Sequence, residues 1–120
     1  MKLKFKERKN TMERIYNKLV RDYILNIIEA KGEEPVIKIL SDDEYKTELE
    51  KKLNEEYKEV LESSDEARVE ELADMLEVIR ALAKVEGKTL YEVIAIANEK
   101  SSKRGAFDKK IFLEKVIETK

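Results

Sequence analysis

Apolar positions recur along this chain at spacings of three and four, and that rhythm predicts helices over most of its length. From Asn17 to Lys31, Leu19, Tyr23, Ile24, Ile27 and Ile28 fall on one side, with Gly32 placed to stop the helix. Pro35 to Leu40 is too short and too β-branched for a helix and reads as a short strand or extended segment near 36–40. A lone strand needs a partner, either the stretch near Phe107 or another subunit. Ser41 with Glu44 is a capping-box pair, so a second helix is expected from about Asp42 to Glu62. Ser63-Ser64-Asp65 reads as a turn, and a third helix follows from Asp65 to about Glu86, with Gly87 behind it. Thr89 and Glu92 form a second capping box, opening a fourth helix that ends near Gly105.

Within the fourth helix, Val93 to Ala97 is apolar around the whole circumference. A helix in so small a protein is buried on every side only if it is sandwiched, which points to a two-fold dimer. From Phe107 to Lys120, Ile111, Phe112, Leu113, Val116 and Ile117 lie at helical spacing and are expected to pack as a lid or arm. The fold expected is all-α: an antiparallel helical bundle completed by oligomerisation, one domain over 16–120 behind a basic, mobile tail at 1–15.

Composition narrows the chemistry. The 120 residues carry 25 Lys+Arg against 27 Asp+Glu, for a net charge of -2, so bulk charge gives no reason to expect a nucleic-acid or membrane partner. No Cys and no His are present, which removes thiol nucleophiles, zinc–thiolate sites and the usual neutral-pH acid–base group. No apolar run is long enough to span a bilayer and no signal peptide is visible, so a cytoplasmic location is expected.

The acids carry the strongest signal. Leu49, Leu53, Glu56 and Val60 form one stripe of the second helix, and Glu71, Asp74 or Met75, Val78 and Leu82 one of the third. Carboxylates are thus threaded into faces that should meet a core, where ionised groups are costly unless paired. A hairpin reflected about residue 65 sets Glu59 opposite Glu71 and Glu56 opposite Asp74. At roughly 5 Å and an effective dielectric near 20, each ionised pair repels by about 3 kcal/mol. Either a cation sits there or some carboxylates are protonated, and an all-oxygen set suits a hard ion, Mg²⁺ or Mn²⁺. Glu55, Glu62, Glu70 and Glu77 are the acids expected in solvent.

A second constellation closes the fourth helix. Lys100 and Arg104 are four apart on one face, with Asn98 just before them. Cations in a last turn suit the helix macrodipole, but beside an acidic metal site they also read as a phosphate clamp. Lys18 and Arg21 stand one turn apart near the start of the chain, where solubility alone accounts for them.

Taken in order, E-E-x-x-E (Glu55 to Glu59), E-x-x-D (Glu71 to Asp74) and N-x-K with Arg four beyond (Asn98, Lys100, Arg104) resemble the MazG-type all-α nucleoside triphosphate pyrophosphohydrolases. Tyr16-Asn17-Lys18-Leu19-Val20-Arg21-Asp22 and Lys103-Arg104-Gly105-Ala106-Phe107 resemble its phosphoribosyl-ATP pyrophosphohydrolase-like branch. That resemblance implies Mg²⁺ ligands at Glu56, Glu59, Glu71 and Asp74, with Glu59 or Glu56 activating water. It also implies nucleotide contacts at Asn98, Lys100 and Arg104, with Lys18 and Arg21 as further phosphate contacts. The branch usually has a proline soon after the Arg-Asp pair, where this chain has Tyr23-Ile24-Leu25. The expected activity is hydrolysis of a nucleotide to monophosphate and pyrophosphate, by a homodimer or homotetramer. The alternatives are a phosphoribosyl-ATP pyrophosphohydrolase of histidine biosynthesis and a non-catalytic helical interaction module.

Overall fold

A computed structural model describes residues 12–120, and these residues are all-α, with four helices. They are α1 (Ile24–Ala30), α2 (Asp42–Glu62), α3 (Asp65–Val85) and α4 (Leu90–Arg104). The chain divides between Glu48 and Leu49 into two compact units. No helix among the described residues is long and apolar enough to cross a membrane.

In the first unit, α1 is only seven residues long, well short of the helix expected over Asn17–Lys31. Asn17 has φ 45°, a left-handed conformation that interrupts a right-handed helix, and Tyr23 at the N-cap offers no side-chain cap. The expected stop does hold. Gly32 has φ 78°, its N–H donates to the Glu29 carbonyl at 2.9 Å, and Glu33 N–H donates to the Ile28 carbonyl at 3.2 Å. The segment at 36–40 forms no strand, and Val36, Ile37 and Ile39 are exposed. No strand exists among the described residues to take its backbone hydrogen bonds, so β-branching alone cannot make one.

At the start of α2, Glu44 N–H donates to Ser41 Oγ at 3.2 Å and Ser41 N–H donates to Glu44 Oε1 at 3.1 Å, closing the expected capping box. Asp42, Asp43 and Glu44 add negative charge where the helix dipole favours it.

In the second unit, two residues, Ser63 and Ser64, connect α2 to α3. Asp65 takes φ 53°, which Asp tolerates, and so turns the chain sharply. Arg68 Nε donates to the Ser63 carbonyl at 2.9 Å and Ser63 Oγ to the Val60 carbonyl at 3.2 Å, satisfying acceptors at the turn. At the other end of α3, Gly87 (φ 76°) donates to the Lys84 carbonyl and Lys88 to the Ala83 carbonyl, both at 2.9 Å. Thr89 then caps α4 through a complete box with Glu92. This short, doubly capped link packs α3 against α4.

The core of this unit is thin. Leu49 from α2, Val78 and Ala83 from α3, and Leu90 from α4 are its buried apolar residues, and Glu56 is buried as well. Ile94 and Ile96, in the run that is apolar on all sides, remain 42% and 48% exposed. The segment after Gly105 forms no helix despite its spacing. Phe107 to Lys120 is exposed throughout, with Lys110 at φ 60° and its N–H donating to the Phe107 carbonyl. Nothing among the described residues covers the apolar side chains that would stabilise a helix there.

Candidate metal centre

The two-residue turn after α2 lets side chains from its last turns and from the start of α3 converge, and three acids meet there. Carboxylate oxygens of Glu56, Glu59 and Glu71 all lie within 4.8 Å of one another. The three differ in environment: Glu56 is buried, Glu71 half-buried and Glu59 exposed. Glu56 is only 8% exposed, because its position continues the α2 stripe that begins with the buried Leu49.

Electrostatics follow from that placement. Burial, then hydrogen bonding and repulsion from Glu59, then the charge of Asp74, push Glu56 from the ordinary 4.5 up to about 7. Lys52, one turn earlier on α2, pulls in the opposite direction without offsetting them. Glu71 is also raised, first by hydrogen bonding to Glu59, then by desolvation and the charges of Glu59, Asp74 and Glu70. Glu59 therefore contributes to raising both Glu56 and Glu71. This matches the expected opposition of Glu59 and Glu71. Asp74 is half-buried and acts on both Glu56 and Glu71 through its charge.

The site also has unmet bonding capacity. Oε2 of Glu56 and Oε2 of Glu71 are buried with no hydrogen-bond partner. Buried acceptors without donors are uncommon, and each costs about 1–3 kcal/mol unless something fills the vacancy. Converging acidic oxygens, two of them unpartnered, fit the coordination needs of a hard divalent cation such as Mg²⁺ or Mn²⁺. The fit rests on the donor set and the orphaned oxygens together, since exposed acids alone often cluster without an ion.

The other candidate residues belong to other segments of the chain. Asn98, Lys100 and Arg104 are exposed along the last turns of α4, and Lys103 beside them pairs with Glu99 at 3.1 Å. Lys18 and Arg21 are exposed in the first unit, in the stretch preceding α1. Among the acids expected in solvent, Glu62 and Glu70 are exposed, whereas Glu55 and Glu77 are half-buried. Glu77 lies 3.3 Å from Arg80, three residues on. Lys52 is the contributor that the motif reading overlooked, although its i−4 spacing from Glu56 was visible.

Comparison with known proteins adds little to this geometry. A protein of Mycolicibacterium smegmatis, described only as uncharacterized, is 55% identical to the chain over 42 residues. The match covers 35% of this chain and 43% of that relative, so it spans less than half of the relative's length. No family model and no solved structure matches the chain.

Proposed function

We propose that the chain is a Mg²⁺-dependent nucleotide pyrophosphohydrolase, cleaving a nucleoside triphosphate or related nucleotide to monophosphate and pyrophosphate. The observation that carries this reading is the convergence of Glu56, Glu59 and Glu71 with two buried, unpartnered carboxylate oxygens. These three acids and Asp74 would hold the ion. Mg²⁺ bound among acids neutralises polyphosphate charge and lowers the pKa of water. Glu59, the exposed member, is open to solvent and is the acid best placed to orient a water and take its proton. Glu56, raised to about 7 in the metal-free chain, would give up its proton as the ion binds.

Lys100 and Arg104 are free to reach phosphates from the exposed end of α4, and Asn98 to contact the rest of the nucleotide. Lys18 and Arg21 serve as further phosphate contacts. If the cations hold the outer phosphates, water adds at the α-phosphorus, the bond to the bridging oxygen breaks, and pyrophosphate leaves. The ordered motif resemblance supports this reading. The half-exposed Ile94 and Ile96 support assembly as a homodimer or homotetramer.

Turnover of a panel of nucleoside triphosphates and phosphoribosyl-ATP in ¹⁸O-labelled water with Mg²⁺ tests the proposal. Labelled monophosphate and equimolar pyrophosphate are expected, with most activity lost in Glu59→Gln. Diphosphate with labelled orthophosphate, or no turnover of any nucleotide, would overturn it.

A further inference from the structure

Two surfaces of the second unit are apolar and uncovered, and their charges are opposite. The first is the segment after α4. Phe107 is 98% exposed and Phe112 88%, with Ile111, Leu113, Val116 and Ile117 also solvent-facing. Within Phe107–Lys120 four cations accompany three anions, so the arm carries a small net positive charge. The second surface belongs to the α2–α3 hairpin. Tyr57 and Leu61 lie four apart on α2, and Val69, Leu72 and Leu76 lie three and four apart on α3, all of them exposed. These helices are acidic: from Leu49 onward α2 has five acids against three bases, and α3 has six against three.

We infer that Phe107–Lys120 is an exchange arm that docks on the exposed apolar face of the α2–α3 hairpin of a second copy of this chain. Three observations select that occupant. The arm and the hairpin are each apolar and bare in the single chain, so each lacks the cover that the other supplies. Their charges are complementary, basic against acidic, which orients the encounter. Both surfaces belong to one sequence, so a two-fold pair satisfies each arm and each hairpin at once, which is the isologous arrangement.

The area is sufficient. Two phenylalanines at about 150 Å² each and four aliphatic side chains at about 100 Å² each give roughly 700 Å² from the arm. A standard interface takes about 800 Å² from each partner, and each copy also contributes its hairpin face. The spacing of Ile111, Phe112, Leu113, Val116 and Ile117 lets the arm become helical as it docks. Docking on the hairpin also ties assembly to the two helices that carry the acid cluster, although the inference does not depend on what the cluster does.

The absence of cysteine from the chain makes disulfide trapping a clean test. Phe112→Cys and Leu72→Cys are prepared separately in the full chain, one with a mass tag, then mixed and oxidised. A disulfide-linked pair containing one copy of each is expected, and the unsubstituted chain should sediment as a dimer at micromolar concentration. Phe112→Asp combined with Leu113→Asp should weaken that dimer by more than about tenfold, leaving the circular dichroism of the four helices unchanged. The inference is overturned if the unsubstituted chain is monomeric or if the aspartate variant dimerises as tightly as the parent. It also fails if no mixed disulfide links the two tagged copies, or if the arm binds phosphatidylserine vesicles while the dimer is indifferent to it.

Discussion

Replacing Glu56 by Gln should stabilise the metal-free protein above neutral pH, although it alters a buried residue. The folded protein holds the Glu56 proton until about pH 7, whereas an unfolded chain releases it near 4.5. Between those values the folded state binds more protons, so stability falls as pH rises. Below the window both states are protonated and the penalty vanishes; above it the penalty is complete. The difference of about 2.5 pH units corresponds to about 3 kcal/mol. Gln is neutral at every pH and offers Glu59 an N–H donor in place of the protonated carboxyl. Urea unfolding with a chelator, followed by circular dichroism, should show the variant gaining from near zero at about pH 3.5 to about 3 kcal/mol at about pH 8. Glu71, whose pKa is also raised, pulls in the same direction in both proteins. A gain independent of pH, or no gain at pH 8, would refute the assignment of Glu56 as a strained buried acid.

Mg²⁺ should raise the melting temperature of the parent protein, because it relieves repulsion that exists only in the folded state; an unchanged midpoint under saturating Mg²⁺ would count against a preformed site. Arg104→Ala should weaken nucleotide binding by about 1–3 kcal/mol without altering the melting curve. Normal binding would reduce that residue to a helix-end cation. Gly87→Ala should cost about 1–2 kcal/mol by chemical denaturation, since φ is 76° and a Cβ there meets no neighbouring atom. A neutral substitution would mean that the turn relaxes to another conformation.

The sequence was most informative where local chemistry determines local structure. Ser41 with Glu44 and Thr89 with Glu92 fixed two helix starts, while Gly32 and Gly87 fixed two ends, because caps and left-handed turns need only nearby residues. The Glu56, Glu59 and Glu71 cluster was legible for a related reason. A two-residue turn leaves little freedom in how α2 and α3 align, so counting outward from it pairs the acids. Periodicity misled where tertiary cover was required. Leu19 and Tyr23 carry helical spacing, yet helix begins only at Ile24, and Phe107 to Lys120 carries it without forming a helix at all. Val36 to Leu40 has strand composition but no neighbouring strand. The relation of Asn98, Lys100 and Arg104 to the acids was not readable, because it depends on how α4 meets the hairpin and not on spacing within one helix.

Calorimetric titration of Mg²⁺ into the chelator-treated chain tests most directly whether the acid cluster is a metal site. Near pH 6 Glu56 is mostly protonated, and a bound cation must displace that proton. Titrations in two buffers of different ionisation enthalpy should therefore show close to one proton released per ion. Affinity should rise toward pH 8, and both binding and proton release should be lost in Glu56→Gln combined with Glu71→Gln. Absence of binding, or binding that persists unchanged in the double variant, would contradict the assignment of Glu56, Glu59 and Glu71 as a divalent-cation centre.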